Sequence, residues 1–174
     1  MQEFFFTDDQ YPFTGVTHIR PISRAIVLDE ENKVAIHVIR RDDMFCNQRY
    51  FETPGGGVDE GETYEEAVVR ECEEELGYRV EVLETLCDVR DFYNLIGREN
   101  HNRFFLARRK EKVGKHFASS GDLFIQETIY LPIDVAIALY EKQDDTLVAG
   151  LVKQRELPVL RLAKARMKAL NFLL

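Results

Sequence analysis

Residues 54–78 decide most of what this chain can fold into. Pro54-Gly55-Gly56-Gly57 interrupts any helix or strand that reaches it, whereas residues 63–76 contain no Gly or Pro and are rich in Glu, Ala, Arg and Leu. A loop therefore feeds a helix. At 3.6 residues per turn Ala67, Glu71, Glu74, Glu75 and Tyr78 share one side, and Val68, Val69, Cys72 and Leu76 share another. Such a helix needs an apolar layer behind it and positive charge beside it.

The demand for positive charge is large. Residues 56–78 hold nine acids against the single base Arg70, a local charge of −8 that equals the formal net charge of all 174 residues, and elsewhere 22 bases meet 22 acids. Like charges at helical spacing, such as Glu71 and Glu75, cost about 0.2–0.5 kcal/mol per pair on an exposed helix. A merely solvated acidic face leaves unexplained why Arg70 sits within it and why glycines precede it. Three carboxylates on one patch fit a hard divalent cation, Mg2+ or Mn2+, which takes oxygen ligands and shares them with substrate phosphate. The neighbouring glycines let backbone approach a ligand closely and can turn a carbonyl toward a metal.

Gly56, five residues, Glu62, seven residues and then Arg70-Glu71-Cys72-Glu73-Glu74-Glu75-Leu76-Gly77-Tyr78 resembles the Nudix box, the signature of hydrolases that cleave nucleoside diphosphates linked to another group. Every fixed Gly, Glu and Arg of that pattern is present. Cys72 stands where the family usually has an aliphatic residue and Tyr78 where it prefers Ile, Leu or Val; both are packing positions. The resemblance implies an α/β fold, an α/β/α sandwich with a mixed central sheet, the box helix against it and an extra C-terminal helix. It implies Mg2+, with Mn2+ as the alternative, held by Glu71, Glu74, Glu75 and the backbone carbonyl of Gly55. Water activated there attacks phosphorus, with Glu71, Glu74 and Arg70 at the chemistry and Gly56 and Glu62 in support. The family also recruits an acid from outside the box; Asp122 and Glu127 are the candidates, with Glu99 behind them.

For the substrate, a nucleoside triphosphate, a nucleotide sugar and a dinucleotide all stay open. Members that cleave ADP-ribose place a Pro beyond the box, and here none follows Tyr78 until Pro132. Members that hydrolyse dinucleoside polyphosphates favour a Tyr in that region, and Tyr93 lies near it. The alternative is a non-catalytic Nudix domain that binds or senses a nucleotide, which would be expected to lose box glutamates that this chain keeps. An EF-hand is excluded because its twelve-residue Asp/Asn-rich loop is absent.

The remaining sequence reads as one domain, residues 1–174, with an N-terminal extension over 1–20 and a C-terminal helix over 159–174; 45% hydrophobic content supports a sizeable core. Residues 25–28 and 34–39 read as a hairpin. Both are apolar at nearly every position, so their sheet is expected to be covered on both faces. Further strands are expected over 80–90, 103–107 and 128–131. Loops over 95–102 and 112–123 are candidates for specificity. Helices are expected over 133–142 and from 147 to 174, the latter interrupted by Pro158. Of the arginines at the strand ends, Arg24 and Arg41 are the candidates to face substrate phosphate. His37 reads as a satisfied core histidine and His116 as a surface one.

Cys46, Cys72 and Cys87 make neither a disulfide framework nor a zinc site, which fits a cytoplasmic protein. No apolar run suits a signal or membrane helix. Basic charge on residues 159–174 accompanies an apolar stripe of the kind a core-covering helix needs, so neither membrane nor nucleic acid is an expected partner. The aromatic N-terminus (Phe4, Phe5, Phe6, Tyr11, Phe13) has two possible partners, its own sheet or a second copy in a homodimer.

Overall fold

The computed structural model describes residues 1–118 and 121–173. Strands β2 (His18–Leu28) and β3 (Val34–Asp42) carry the centre of the sheet. Their unbroken apolar runs are explained by burial on both sides. Ala25, Val27 and Ala35 face Val68, Cys72 and Leu76 of helix α1 (Tyr64–Leu76). Ile26, Leu28, Val34 and Ile36 face the opposite way, into a larger core with Tyr140 of α2 (Ile133–Glu141) and Val148, Val152, Val159, Leu160, Ala163 and Met167 of α3 (Leu147–Ala169). Three layers follow, helix, sheet and helices, as expected.

The sheet runs β1-β6-β7-β2-β3-β4, with β1 (Gln2–Phe5), β4 (Asn47–Glu52), β6 (Tyr78–Tyr93) and β7 (Arg98–Lys112); β5 (Gly55–Gly57) adds to β2 and β8 (Ile125–Leu131) to β3. It is mixed: β2 lies parallel to β7 along its whole length, and β6 and β7 are antiparallel. The N-terminal segment extends the sheet of its own chain, β1 pairing parallel with β6. Most important for the site, the β2–β3 hairpin pairs only at Leu28 and Val34. Beyond that rung the strands part, β2 toward β5 and β7, β3 toward β4 and β8, and the gap between them is a cleft.

Two expectations need correction. Residues 98–102, expected as loop, belong to β7, and β6 reaches Tyr93; only Asn94–Ile96, a single 3-10 turn, separates them. The segment looks like loop because it is polar, but its asparagine amide donors are taken up inside the sheet. Asn102 Nδ2 donates to Val89 O at 3.0 Å and to Asp91 Oδ1 at 2.6 Å, and Asn100 Nδ2 to Asp91 Oδ2 at 3.3 Å. The other concerns Pro158, which does not interrupt the last helix: α3 continues through it and ends at Ala169. A proline inside a helix, through the lost hydrogen bond and the clash of its ring with the preceding turn, costs about 3 kcal/mol, and here buried residues on both sides, Arg155 and Glu156 before and Val159 and Leu160 after, hold the helix against the sheet. Of the expected loop over 112–123, Ser119 and Ser120 lie outside the described residues.

Candidate active site

Helix α1 is fixed at its start by a capping box: Thr63 Oγ1 accepts from Glu66 N, and Glu66 Oε2 accepts from Thr63 N at 2.8 Å. Further along the helix Glu71 and Glu75, one turn apart, face the cleft. Asp122 reaches them from a 3-10 turn just before β8. One carboxylate oxygen from each of the three lies within 4.8 Å of the other two, and all three side chains are buried.

The glycine turn is shaped to this group. Gly55 has φ 136°, a conformation unfavourable for any side chain, and a Cβ on it would lie 2.2 Å from Ser23 O. A Cβ on Gly56 would lie 2.6 Å from Glu71 Oε1. With no side chain there, the backbone closes against both carboxylates. Gly55 N–H donates to Glu75 Oε2 at 2.9 Å. The same oxygen lies 3.1 Å from His37 Nε2, while His37 Nδ1 lies 3.0 Å from Thr128 Oγ1. Both ring nitrogens of His37 thus have partners, and one partner is a carboxylate of the cluster.

Arg70 is the cation within the acidic face. Its guanidinium donates to both oxygens of Glu62 at 2.9 and 2.8 Å, to Glu71 Oε1 at 2.9 Å and to Gly57 O at 2.9 Å. This does not neutralise the group. Burial first, and the neighbouring Glu75 next, push the Glu71 carboxyl up to about 7 against the pull of Arg70. A divalent cation would supply the missing charge, and three convergent buried carboxylate oxygens beside a backbone turn are a donor set that suits a hard cation.

The other expected residues fall in different places. Glu74 is buried but lies 3.6 Å from Arg70 Nη1, outside the three-acid group. Glu127 is exposed on β8, opposite Val38. Glu99 is paired with Arg90 and with His101 Nε2 at 2.7 Å, away from the cleft. His116 is exposed and touches Glu74 only through its backbone N–H.

The cleft holds about 300 Å³, and Arg24, Arg41 and Tyr93 all line it. Arg24 is committed to Glu52 at 2.7 Å, Glu156 at 3.6 Å and Thr53 O at 2.9 Å. Arg41 bonds Asp43 at 2.8 Å and lies over the rings of Phe45 (4.4 Å) and Phe124 (5.2 Å). The back wall is a network the sequence did not announce. Fully buried Arg155 bonds Glu52 at 2.8 Å and Glu156 at 2.7 Å, while Glu156 Oε2 accepts from Thr53 N and from the Tyr140 hydroxyl, each at 2.8 Å. Burial works against the Glu52 carboxylate, but Arg24 and Arg155 hold it below the ordinary range. One signal was available: Arg155 and Glu156 occupy the stripe of α3 that Val148, Val152, Val159 and Ala163 fill elsewhere.

Comparison with known proteins agrees with this geometry. The NUDIX domain family matches residues 18–151. The Caenorhabditis elegans protein called "Putative nudix hydrolase 1" is 36% identical over 70 residues, covering 40% of this chain and 19% of that protein. The E. coli ORF135 protein has the same fold at 20% identity, with a TM-score of 0.61 over 87% of this chain and 91% of its own. A NUDIX hydrolase from Nitrosomonas europaea superposes with a TM-score of 0.62 at 14% identity, over 87% of this chain and 90% of its own.

Proposed function

Because this chain belongs to the NUDIX domain family, we propose that it is a metal-dependent hydrolase that cleaves the phosphoanhydride of a nucleoside diphosphate linked to another group. The observation that carries this reading is the buried group of Glu71, Glu75 and Asp122 facing a glycine turn. These three would hold Mg2+, or Mn2+ in its place, together with the backbone carbonyl of Gly55. Once bound, the cation neutralises the diphosphate and makes water more acidic.

The chain's own residues set the rest. His37 and Gly55 N–H fix one oxygen of Glu75, and Arg70, anchored on Glu62, fixes Glu71. Such partners fix the orientation of the side chains that would hold the metal. Glu74 shares Arg70 with Glu71 and supports the same shell. Attacking water gives its proton to a carboxylate of this acidic floor. Phe45, Phe124 and Tyr93 offer aromatic surface to the nucleobase, with Arg41 and the backbone of Gly56 and Gly57 on the phosphate side. Arg24, already paired with two carboxylates, shapes the wall.

Among the described residues no helix is long and apolar enough to cross a membrane, and three buried free cysteines fit the reducing cytoplasm. The test is product release from nucleoside triphosphates, nucleotide sugars and dinucleoside polyphosphates with Mg2+, then Mn2+, beside Glu75→Gln. Turnover that requires metal and disappears in the variant is the expected result. Tight nucleotide binding with no turnover of any compound would replace the enzyme with a sensor.

A further inference from the structure

Five arginines line the cleft, and they divide sharply by partner. Arg24, Arg41 and Arg155 each have a carboxylate within 2.8 Å. Arg20 and Arg98 have none within ion-pair distance among the described residues. Strand pairing brings these two together. His18 of β2 stands opposite Arg98 of β7 and Arg20 opposite Asn100, so Arg20 and Arg98 are diagonal neighbours on one face of parallel strands. Both face the cleft.

Of the two, Arg98 is held against the preference of its charge. Arg98 lies over the Tyr93 ring at 4.8 Å and its Nε is buried without a hydrogen-bond partner. Burial, with the Arg20 and Arg155 charges also opposing it, lowers the Arg98 pKa against the pull of Tyr93 and Asp91. Two adjacent guanidiniums without a counter-ion at the mouth of a cleft leave their donors for an anion from solution.

The position of the pair says where on a ligand that anion sits. A Cβ on Gly56 would touch the Glu71 carboxylate, and a Cβ on the next residue, Gly57, would lie 3.1 Å from Arg20 Nη2. Gly56 and Gly57 are successive residues of β5, whose side-chain directions alternate, so the acids and the Arg20 guanidinium line the one cleft from opposite sides of that strand. A diphosphate held over the acids leaves a nucleotide sugar no further anion for the arginines, whereas a third linked phosphate supplies one.

We propose that Arg20 and Arg98 bind a third phosphate adjoining the diphosphate held over Glu71, Glu75 and Asp122, so that the substrates of this chain carry three or more linked phosphates. The inference rests on the hydrolase reading for its account of the acids. It selects, within that reading, nucleoside triphosphates or dinucleoside polyphosphates over diphosphate-linked sugars.

The test uses binding, so that it does not depend on turnover or on the nucleobase. Isothermal titration compares inorganic tripolyphosphate with pyrophosphate, both with Mg2+, on the full chain, Arg20→Ala, Arg98→Ala and Glu75→Gln. The unaltered protein is expected to prefer tripolyphosphate by about tenfold to a hundredfold, the range of one or two charge-assisted hydrogen bonds. Either arginine variant loses that preference while pyrophosphate affinity stays within about twofold; Glu75→Gln weakens both ligands alike. Arg20 is exposed, so its variant keeps the test alive if Arg98→Ala fails to fold. Equal affinity for the two ligands in the unaltered protein overturns the proposal, as does a parallel loss of both in the arginine variants. Retained preference without any hydrolysis would sink the enzyme and keep the phosphate site; hydrolysis without preference would do the reverse. Turnover of nucleoside triphosphates or of dinucleoside polyphosphates that falls in Arg20→Ala through KM rather than kcat supports the site and names the carrier of the third phosphate.

Discussion

Two buried charge clusters face each other across the cleft and differ in one respect. On the α3 side Arg24 and Arg155 are interleaved with Glu52 and Glu156, and their carboxylate oxygens are shared with backbone N–H and hydroxyl donors. On the α1 side Glu71, Glu75 and Asp122 crowd together, with Arg70 bonded to Glu71, and the Glu71 carboxyl is driven up to about 7. A cluster that completes itself holds the fold. One that stays short of positive charge is a place where something binds, and the difference can be measured with paired substitutions.

The largest expected effect is on turnover. Glu75→Gln should lower kcat/KM by about a thousandfold or more, the scale of losing metal-based charge stabilisation. Its thermal midpoint without metal should hold or rise, because one of three repelling carboxylates is gone. Glu156→Gln should do the converse. It leaves Arg155 and Arg24 short of a buried counter-charge, at a cost of about 3–5 kcal/mol read from urea unfolding. The comparison breaks if Glu75→Gln unfolds the protein, or if Glu156→Gln leaves its stability untouched.

A smaller effect follows from pH. The Glu71 carboxyl titrates near 7 in the folded chain against an ordinary value of 4.5, so folding favours its protonated form. That contribution is present in full below about 4.5 and is lost as pH rises through about 7, by at most about 3 kcal/mol. Stability measured in a chelator should therefore fall between pH 5 and pH 8 by more in the unaltered protein than in Glu71→Gln, and excess Mg2+ should remove the difference. Equal slopes in the two proteins would show that the acids of α1 are as well compensated as those of the α3 side.

The α1 cluster was legible in the sequence and the α3 cluster was not, for physical reasons. Helical periodicity alone places Glu71 and Glu75 on one face, and Pro54 to Gly57 marks where the backbone turns against them. Local rules carry that far. Asp122 stood beside Glu127 as an equal candidate, with Glu99 behind them, since what brings it to Glu71 is the long return from β7 to β8, and nothing in residues 113–124 encodes that return locally. The network of Arg155 and Glu156 depends on β4, β2 and α3 meeting, a contact between segments about a hundred residues apart. Charge on a core stripe was its only trace, and the break read into Pro158 obscured the stripe. The polar strand at 98–102 hid likewise, because Asn100 and Asn102 donate their amides to Asp91 across the sheet. In each case the missing information is a partner supplied by tertiary structure.

The smallest effect separates the scaffold of the acidic helix from its chemistry. Thr63→Ala removes the side chain that accepts the Glu66 N–H and one of the two groups bonded by Glu66 Oε2, at the exposed start of α1 and two turns from Glu71. Loss of such a cap costs about 1 kcal/mol, a shift of a few degrees in the thermal midpoint for a chain of this size. Glu71 and Glu75 are held separately by Arg70, Gly55 and His37, so kcat and metal affinity should stay within about twofold. Melting curves with and without Mg2+ check both halves. If the cap variant lost metal affinity as strongly as it lost stability, the carboxylates would depend on the helix start for their placement, and the binding cluster would share the all-or-none character of the α3 network.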